Sequence, residues 1–512
     1  MPNHRSPGLA DGQEDSTTAA IPRPAKVEPT TENRLDGRLI RLSMIIVAGA
    51  FMSALDATIV AVALDRIGTE FESPLSALQW VTIGYLLALA MVVPVTGWVV
   101  ERFGARRMWL VSLSLFIVAS VWCGFAWSIG SLIAFRVLQG LGGGLIPPLA
   151  QVILVRAAGP KRIGRVMSAV SVPTQLAPII GPTVGGLLVD SVGWRWIFYI
   201  NIPLGVLALV VAGRGLPKDE RLSSPRLDVV GLLLLSPAVT ALVYGLSVAG
   251  EGAGFRSTGV IVALCAGLLL LLAFFWHARR EHPSPVIDLR LFRHRPFAVS
   301  SVLHFLAGAS LFGLMFLLPL YYQQVRGVDS LQAGLLLAPQ GLGMVAALIV
   351  AGSLVDRYGA RRVALAGILL SAIGTVPFTY SGATEDDIVS ATVLVVRGLG
   401  LGIASIPLTA AAYYGLTQEM VPRAASALVI VQRLGGSLGT TMLALILQRQ
   451  TSHASGNVRP PTPEALETAY VRTFWWTVVL TAVALLPAFF MPGRAEQNRA
   501  GQADLERHTK RT

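Results

Sequence analysis

Asp56 and Arg136 stand where a charge is hardest to keep. Each lies inside a long apolar run, AFMSALDATIVAVAL around Asp56 and GSLIAFRVLQGLGGGL around Arg136. A charged side chain at the middle of a membrane helix costs about 2.5–3.5 kcal/mol on insertion scales and faces a partner or a wet cavity. Asp56 is the only acid this deep in an apolar run. At about 1.5 Å of rise per residue, Asp56 lies about 12 Å from the outer end of its run and Arg136 about 6 Å from the outer end of its own. The shared depth predicts an Asp56–Arg136 pair, direct or bridged by Gln139, facing a central cavity. Desolvation favours the protonated form of a carboxylate and a nearby guanidinium favours the charged form, so separating such a pair, or inserting a cation between its members, recruits or releases a proton. The alternative is a permanent structural ion pair.

The elements that must position these residues are runs of roughly 20 apolar residues, the length that spans a bilayer. Six are expected near 41–63, 78–98, 108–127, 132–155, 165–189 and 195–213, two near 228–249 and 258–277, and six more near 297–323, 333–352, 363–381, 388–413, 425–447 and 472–491. Between the second and third runs lies GWVVERFGARR, Gly97 to Arg107. It returns 255 residues later as GSLVDRYGARR, Gly352 to Arg362. The same offset carries the first run onto the ninth. The fold predicted is therefore all-α and polytopic, with 14 transmembrane helices as two six-helix halves around a two-helix insertion, a 6+2+6 pseudo-twofold arrangement. The predicted divisions are a disordered cytoplasmic tail over 1–38, an N-terminal half over 39–213, the insertion and its flanking loops over 214–296, a C-terminal half over 297–492 and a second cytoplasmic tail over 493–512.

Composition supports a membrane protein. The chain is 53% hydrophobic and 14% charged, where soluble domains carry about a quarter charged residues, and its mean hydropathy is +0.63. The net charge of +12 does not indicate nucleic acid, because the basic residues sit in short loops between the runs. With the N-terminus inside, 31 of the 41 Lys and Arg fall on the cytoplasmic side and 6 outside, which orients both termini to the cytoplasm. The first apolar run begins near Ile40 and is long enough to span, so it is not a cleavable signal. Cys123 and Cys265 both lie in apolar runs and read as packing residues.

The two repeated loops resemble the loop between helices 2 and 3 of the major facilitator superfamily and its pseudo-repeat. RVLQG (Arg136 to Gly140) is similar to the family's helix 4 motif, and GPTVGG (Gly181 to Gly186) to the helix 5 motif associated with antiport and export. LDATIV (Leu55 to Val60) and WRWIFYINIP (Trp194 to Pro203) resemble the fourteen-helix drug:proton antiporter branch, the EmrB/QacA type. The likeness runs from about Leu35 to about Pro492. It departs from the pattern at Glu101, where the loop usually has Asp, at Ser168 and Ala177 in place of glycines, and at Asp65 in place of Pro.

In each repeated loop a carboxylate, Glu101 or Asp356, sits beside Arg102 and Arg106 or Arg357 and Arg361, with Gly97, Gly104, Gly352 and Gly359 supplying turns and close approach. Such a carboxylate pairs with cations or faces the N-terminus of a neighbouring helix, a latch that biases one conformation over another; the alternative is plain interfacial anchoring. Gly181, Pro182, Gly185 and Gly186, downstream of Pro173 and Pro178, suit a kinked seam or simple close packing. In the second half Arg397 is the pseudo-equivalent of Arg136, but no acid matches Asp56. His304 is the nearest titratable group, as a packed polar residue or a relay, and Arg433 in QRLGGSLG is expected to close a polar contact between helices. Candidate cavity residues are Gln79, Trp80, Tyr85, Gln139, Gln175, Tyr321, Tyr322 and Gln323, an aromatic and amide set that suits flat apolar or cationic compounds or, near helix ends, an interfacial belt.

The resemblance and the charges together imply a proton-coupled antiporter in a bacterial inner membrane that exports lipophilic, possibly cationic, small molecules such as drugs, or one endogenous metabolite such as an antibiotic or siderophore. Its partners are then the bilayer, the substrate and protons, with the proton as coupling ion, no other cofactor, no metal and a monomeric state. A membrane-embedded enzyme would need clustered His, Asp or Cys at membrane depth, and the seven His of this chain are scattered. A nontransporting receptor would not need two latch loops.

Overall fold

The computed structural model describes residues 37–158, 163–217, 219, 227–249, 255–280, 285–380, 386–455 and 462–493. Among them every long element is α-helical: α1 (Gly37–Glu70), α2 (Leu75–Val92), α3 (Thr96–Phe103), α4 (Ala105–Gly124), α5 (Ile129–Ala158), α6 (Ile163–Ser191), α7 (Trp196–Tyr199), α8 (Asn201–Gly215), α9 (Val229–Val248) and α10 (Thr258–Arg279). They are followed by α11 (Arg295–Gln324), α12 (Ser330–Tyr358), α13 (Ala360–Ile373), α14 (Asp387–Ala412), α15 (Val421–Ser455), α16 (Pro463–Val483) and α17 (Leu485–Ala488). Local chemistry sets several starts. Asp228 caps α9 by accepting from the Gly231 amide, Asp329 caps α12 at the Gln332 amide, and Asp386 caps α14 at the Ile388 and Val389 amides. Thr462 caps α16, with Pro463 in its first turn.

Among the described residues, thirteen helical stretches are long and apolar enough to cross a membrane. The expected run at 165–189 coincides with α6, 29 residues long. α1 runs for 34 residues, Gly37 to Glu70, and includes the spanning stretch Gly37–Val60. The two expected tails fall almost wholly in 1–36 and 494–512, outside the described residues. Cys123 is buried as expected, but Cys265 is exposed on α10, so the packing role read for it does not hold. Leu268, Leu269, Leu272 and Trp276 on the same helix are exposed as well, an apolar outer surface that hydrocarbon satisfies and water does not.

The sequence repeat is also a packing repeat. α1 packs on α6 as α11 packs on α15, α2 on α5 as α12 on α14, and α4 on α5 as α13 on α14. Between the two sets, α6 meets α12, while α15 meets α5 and α3. α9 and α10 pair with each other, and α9 lies against both α2 and α15; Trp80 of α2 stacks on Tyr244 at 6.0 Å, and Thr441 of α15 donates to the Leu246 carbonyl at 2.5 Å.

Gly104 and Gly359, 255 residues apart, are the joints of the repeat, with φ of 91° and 84°. A side chain at Gly104 would also run into Asp219, whose carboxylate accepts from the amides of Arg106 at 2.9 Å and Arg107 at 3.1 Å at the start of α4. Gly104→Ala is therefore expected to destabilise the protein by more than about 1 kcal/mol, where the same change at a compatible backbone position would stabilise it. Thermal unfolding in detergent reads this as a lowered midpoint, and an unshifted midpoint would mean the joint is not constrained.

Candidate functional site

Four helices bring their polar residues to one point inside the N-terminal bundle. Asp56 from α1 and Arg136 from α5 are 0% and 1% exposed, and their side chains meet at 2.7 Å between Arg136 Nη1 and Asp56 Oδ2. Gln139, one turn along α5, accepts from Arg136 Nη1 at 2.6 Å and donates Nε2 to Asp56 Oδ1 at 3.0 Å, so the pair is both direct and bridged. Asn201, the first residue of α8, donates Nδ2 to the same Asp56 oxygen at 2.8 Å. Ser120 of α4 accepts from Gln139 Nε2 at 2.5 Å and from Asn201 Nδ2 at 3.3 Å. The carboxylate thus receives three donors, the condition under which a buried charge is tolerated.

The guanidinium is equally held. Its Nε donates to the Val81 carbonyl at 3.3 Å, and its carbon lies 4.0 Å from the Tyr85 ring centre and 5.8 Å from that of Phe198. Asn201 reaches the cluster because the segment before α8 is anchored: Glu70 at the end of α1 pairs with Arg195 at 2.7 Å and accepts from Trp194 Nε1 at 2.6 Å. Partial burial raises the Glu70 pKa, but these two partners outweigh it and hold the carboxyl below its ordinary value. Sequence reasoning missed Asn201 and Ser120. The Asn201 signal is present, an amide inside WRWIFYINIP at the start of a helix, but it reads as part of a motif and not as a ligand to Asp56.

The C-terminal bundle has no such pairing. Arg397 of α14 is 1% exposed and bonds neutral groups only, Gln340 Oε1 at 2.6 Å and the Ser310 carbonyl at 3.5 Å. His304 of α11 is buried, with Nδ1 2.8 Å from the Ser300 carbonyl and Nε2 3.4 Å from the Thr409 hydroxyl. Arg433 does not close the polar contact expected of it: among the described residues it makes no hydrogen bond or ion pair, and its Nε is shielded without an acceptor.

The latch residues find partners other than the adjacent arginines. Glu101 pairs with Arg423 in the first turn of α15 at 2.8 Å, joining the two bundles, while Arg102 is exposed. Arg106 turns inward and donates to the Gly213 carbonyl. Arg361 donates Nε to the Met491 carbonyl at 2.7 Å, Arg357 lies 5.3 Å from the Tyr358 ring, and Asp356 is half-buried. Gly97 packs on Arg423, where a Cβ would come within 3.0 Å of its side chain, and Gly352 is buried. At the same end, Tyr413 donates to Gln151 at 2.6 Å and Arg156 to the Gln418 carbonyl at 3.4 Å.

The proposed cavity set is not brought together. Gln79 and Trp80 are exposed, with Trp80 occupied by Tyr244. Tyr85 is buried over Arg136. Tyr321 and Tyr322 belong to an apolar core with Phe378, Tyr470 and Phe474, and Tyr322 shares a 2.5 Å hydrogen bond with Ser390. Gln323 is half-buried beside that core. These rings were bulky enough to pack, so burial took them out of reach of a ligand. Gly181 and Gly185 of α6 lie against Thr58 and Ile59 of α1, where a Cβ on either would collide, and Gly186 has room. The side chains of Gln175, Pro182 and Asp65 lie outside the described residues.

Replacing Asn201 by Leu removes one donor from Asp56 and leaves the Ser120 hydroxyl with one partner fewer, an expected loss of about 1–3 kcal/mol. Asn201→Asp should be worse, since it sets a second carboxylate beside Asp56 with one guanidinium to share. Thermal unfolding in detergent should rank wild type, Asn201→Leu and Asn201→Asp in that order; equal midpoints would remove Asn201 from the cluster's support.

Residues 46–440 match the Major Facilitator Superfamily. The chain is 35% identical over 522 residues to a multidrug resistance protein B homolog of Mycobacterium tuberculosis (strain ATCC 25618 / H37Rv), covering 96% of this chain and 97% of that one. It is 32% identical over 433 residues to the tetracenomycin C resistance and export protein of Streptomyces glaucescens, covering 84% and 80%. Among solved structures, a double-tryptophan mutant of XylE superposes with a TM-score of 0.63 at 14% identity, covering 89% of this chain and 96% of that one, a likeness of fold alone. These are transporters and not enzymes, and with the repeated loops, the paired bundles and the spanning helices they identify the chain as a multi-pass member of the major facilitator superfamily.

Proposed function

We propose that the protein is a proton-coupled antiporter that exports lipophilic small molecules across a bacterial inner membrane, with Asp56 as the proton-carrying group and Arg136 as its partner. The observation that carries this reading is the buried cluster itself. A carboxylate held by one guanidinium and two amides, each on a different helix or turn, is stable when charged and has a defined set of contacts to lose when a proton neutralises it. Protonation frees Arg136, Gln139 and Asn201 at once, and those residues tie α1, α5 and α8 together.

The same reading takes the 14 helices as a 6+2+6 arrangement, with the halves at 39–213 and 297–492, the insertion at 214–296 and cytoplasmic tails at 1–38 and 493–512. The charge bias sets the Glu101 loop and both termini in the cytoplasm. The contacts of Glu101 with Arg423, Gln151 with Tyr413 and Arg156 with Gln418 then seal the inner end. On this reading the inner end is closed, with Asp56 held by its three donors and awaiting a proton. Glu101 and Asp356, with Arg102, Arg106, Arg357 and Arg361 and the glycines beside them, act on the balance between conformations and not on the substrate. Gly181 and Gly185 give α6 its close seam on α1. The relatives' names support both breadths of substrate: one is a multidrug resistance protein homolog, the other is named for tetracenomycin C.

Asp56→Asn keeps the shape and removes the titration. In proteoliposomes it is expected to abolish accumulation of a drug against its gradient at an imposed pH difference, while downhill movement of the same drug persists. A variant that still accumulates drug with wild-type pH dependence would remove Asp56 from the coupling.

A further inference from the structure

Among the described residues, the interior of the membrane region holds one acid and three arginines. Asp56 is consumed by Arg136, and the remaining two arginines, Arg397 and Arg433, both belong to the C-terminal bundle. Arg397 lies ten residues into α14 and Arg433 twelve residues into α15, about 15 and 18 Å along those axes, too deep to reach water at either membrane face by extending a side chain. Arg397 is satisfied only in part, by Gln340 and the Ser310 carbonyl, and its Nε has no acceptor. Arg433 is half-buried, and its Nε is likewise shielded without an acceptor. Arg433 lies on α15, the helix that packs against α5 and α3 of the other bundle, and Tyr85, which covers Arg136 there, contributes to its electrostatic environment.

A guanidinium at this depth faces a partner or a wet cavity. Four described acids are placed elsewhere: Asp56 is held by Arg136, Gln139 and Asn201, Glu101 by Arg423, Asp387 by Arg326, and Asp356 lies two residues before the end of α12. Resting on the exporter reading, we propose that the counter-charge arrives with the substrate: the molecules this protein carries bear a carboxylate or similarly compact acidic group, and Arg433 receives it, with the charge of Arg397 adding to the field of the same bundle. A planar guanidinium accepts a carboxylate through two parallel hydrogen bonds, which a primary amide or an ammonium cannot reproduce. The cargo is then an amphipathic organic acid, and the Asp56–Arg136 cluster, neutral overall, stays free for the proton. This replaces a cationic cargo with an anionic one.

Three aromatic probes of one size decide it: 2-naphthoate, 2-naphthamide and 2-naphthylmethylammonium, titrated calorimetrically into the full-length protein in detergent. Wild type is expected to bind the carboxylate about tenfold or more tightly than the amide and to bind the ammonium least. Arg433→Gln should bring the carboxylate-to-amide ratio to about one, and Arg433→Lys, which keeps the charge without the fork, should leave an intermediate ratio. Because the wild-type ratio alone carries the claim, a misfolded variant does not rescue it: equal affinities, or a preference for the ammonium, overturn the assignment. Chloride separates the sources of anion. If replacing chloride by gluconate leaves the preference in place, the site takes an organic acid; if chloride itself binds with an affinity that Arg433→Gln abolishes and excludes 2-naphthoate, the occupant is an inorganic ion and the substrate assignment falls. Flux in proteoliposomes keeps the two readings apart. Preferred binding of 2-naphthoate without transport of any probe contradicts the exporter and leaves the Arg433 site standing, whereas transport of the amide with no carboxylate preference does the reverse.

Discussion

The ion pair between Asp56 and Arg136 is the constraint on which the N-terminal bundle depends. Both charges are withdrawn from water, and breaking such a pair by removing one partner costs about 3–5 kcal/mol. The chain answers by surrounding the pair: Gln139 and Asn201 complete the carboxylate, Val81 and Tyr85 complete the guanidinium, and Ser120 ties the two amides. Each of these residues fixes a helix. α1, α4, α5 and α8 meet at the cluster, and the Glu70 clamp on Trp194 and Arg195 keeps α8 at the right height. A change at Asp56 therefore reaches several packing contacts together, which is what a conformational switch requires.

The two bundles repeat each other's helix pairings but not each other's charges. Gly104 and Gly359 turn the chain in the same way at equivalent joints. Yet the N-terminal bundle buries a compensated pair, and the C-terminal bundle buries arginines that meet only neutral groups or none among the described residues. On the proposed reading the asymmetry divides the labour: a proton binds in one bundle and an anionic group in the other. The two bundles meet where α15, which carries Arg433, packs on α5, which carries Arg136.

Much of this was legible before the fold was seen. Burial cost and helix rise placed Asp56, Arg136 and Gln139 together, because a lone charge in hydrocarbon is so unfavourable that depth alone selects its partner. Helix positions followed from apolar runs, and the turns from the repeated glycines. Asn201 and Ser120 were not legible, since a neutral amide or hydroxyl in an apolar run carries no cost large enough to demand a partner in advance. The Glu101–Arg423 bridge was missed for another reason: the two are 322 residues apart, and the nearby Arg102 and Arg106 offered a local answer that the geometry declines. The aromatic cavity set failed because Tyr321 and Tyr322 pack as readily against Phe378 and Phe474 as against a ligand, and sequence spacing does not tell the two apart.

The central claim is that Asp56 exchanges a proton when substrate binds. The most direct measurement is of protons released into a weakly buffered solution when an exported compound is added to the detergent-solubilised protein, across a range of pH. The account expects release from wild type that rises and falls with pH and is absent from Asp56→Asn even where that variant still binds the compound. Release of equal size from wild type and Asp56→Asn would contradict it.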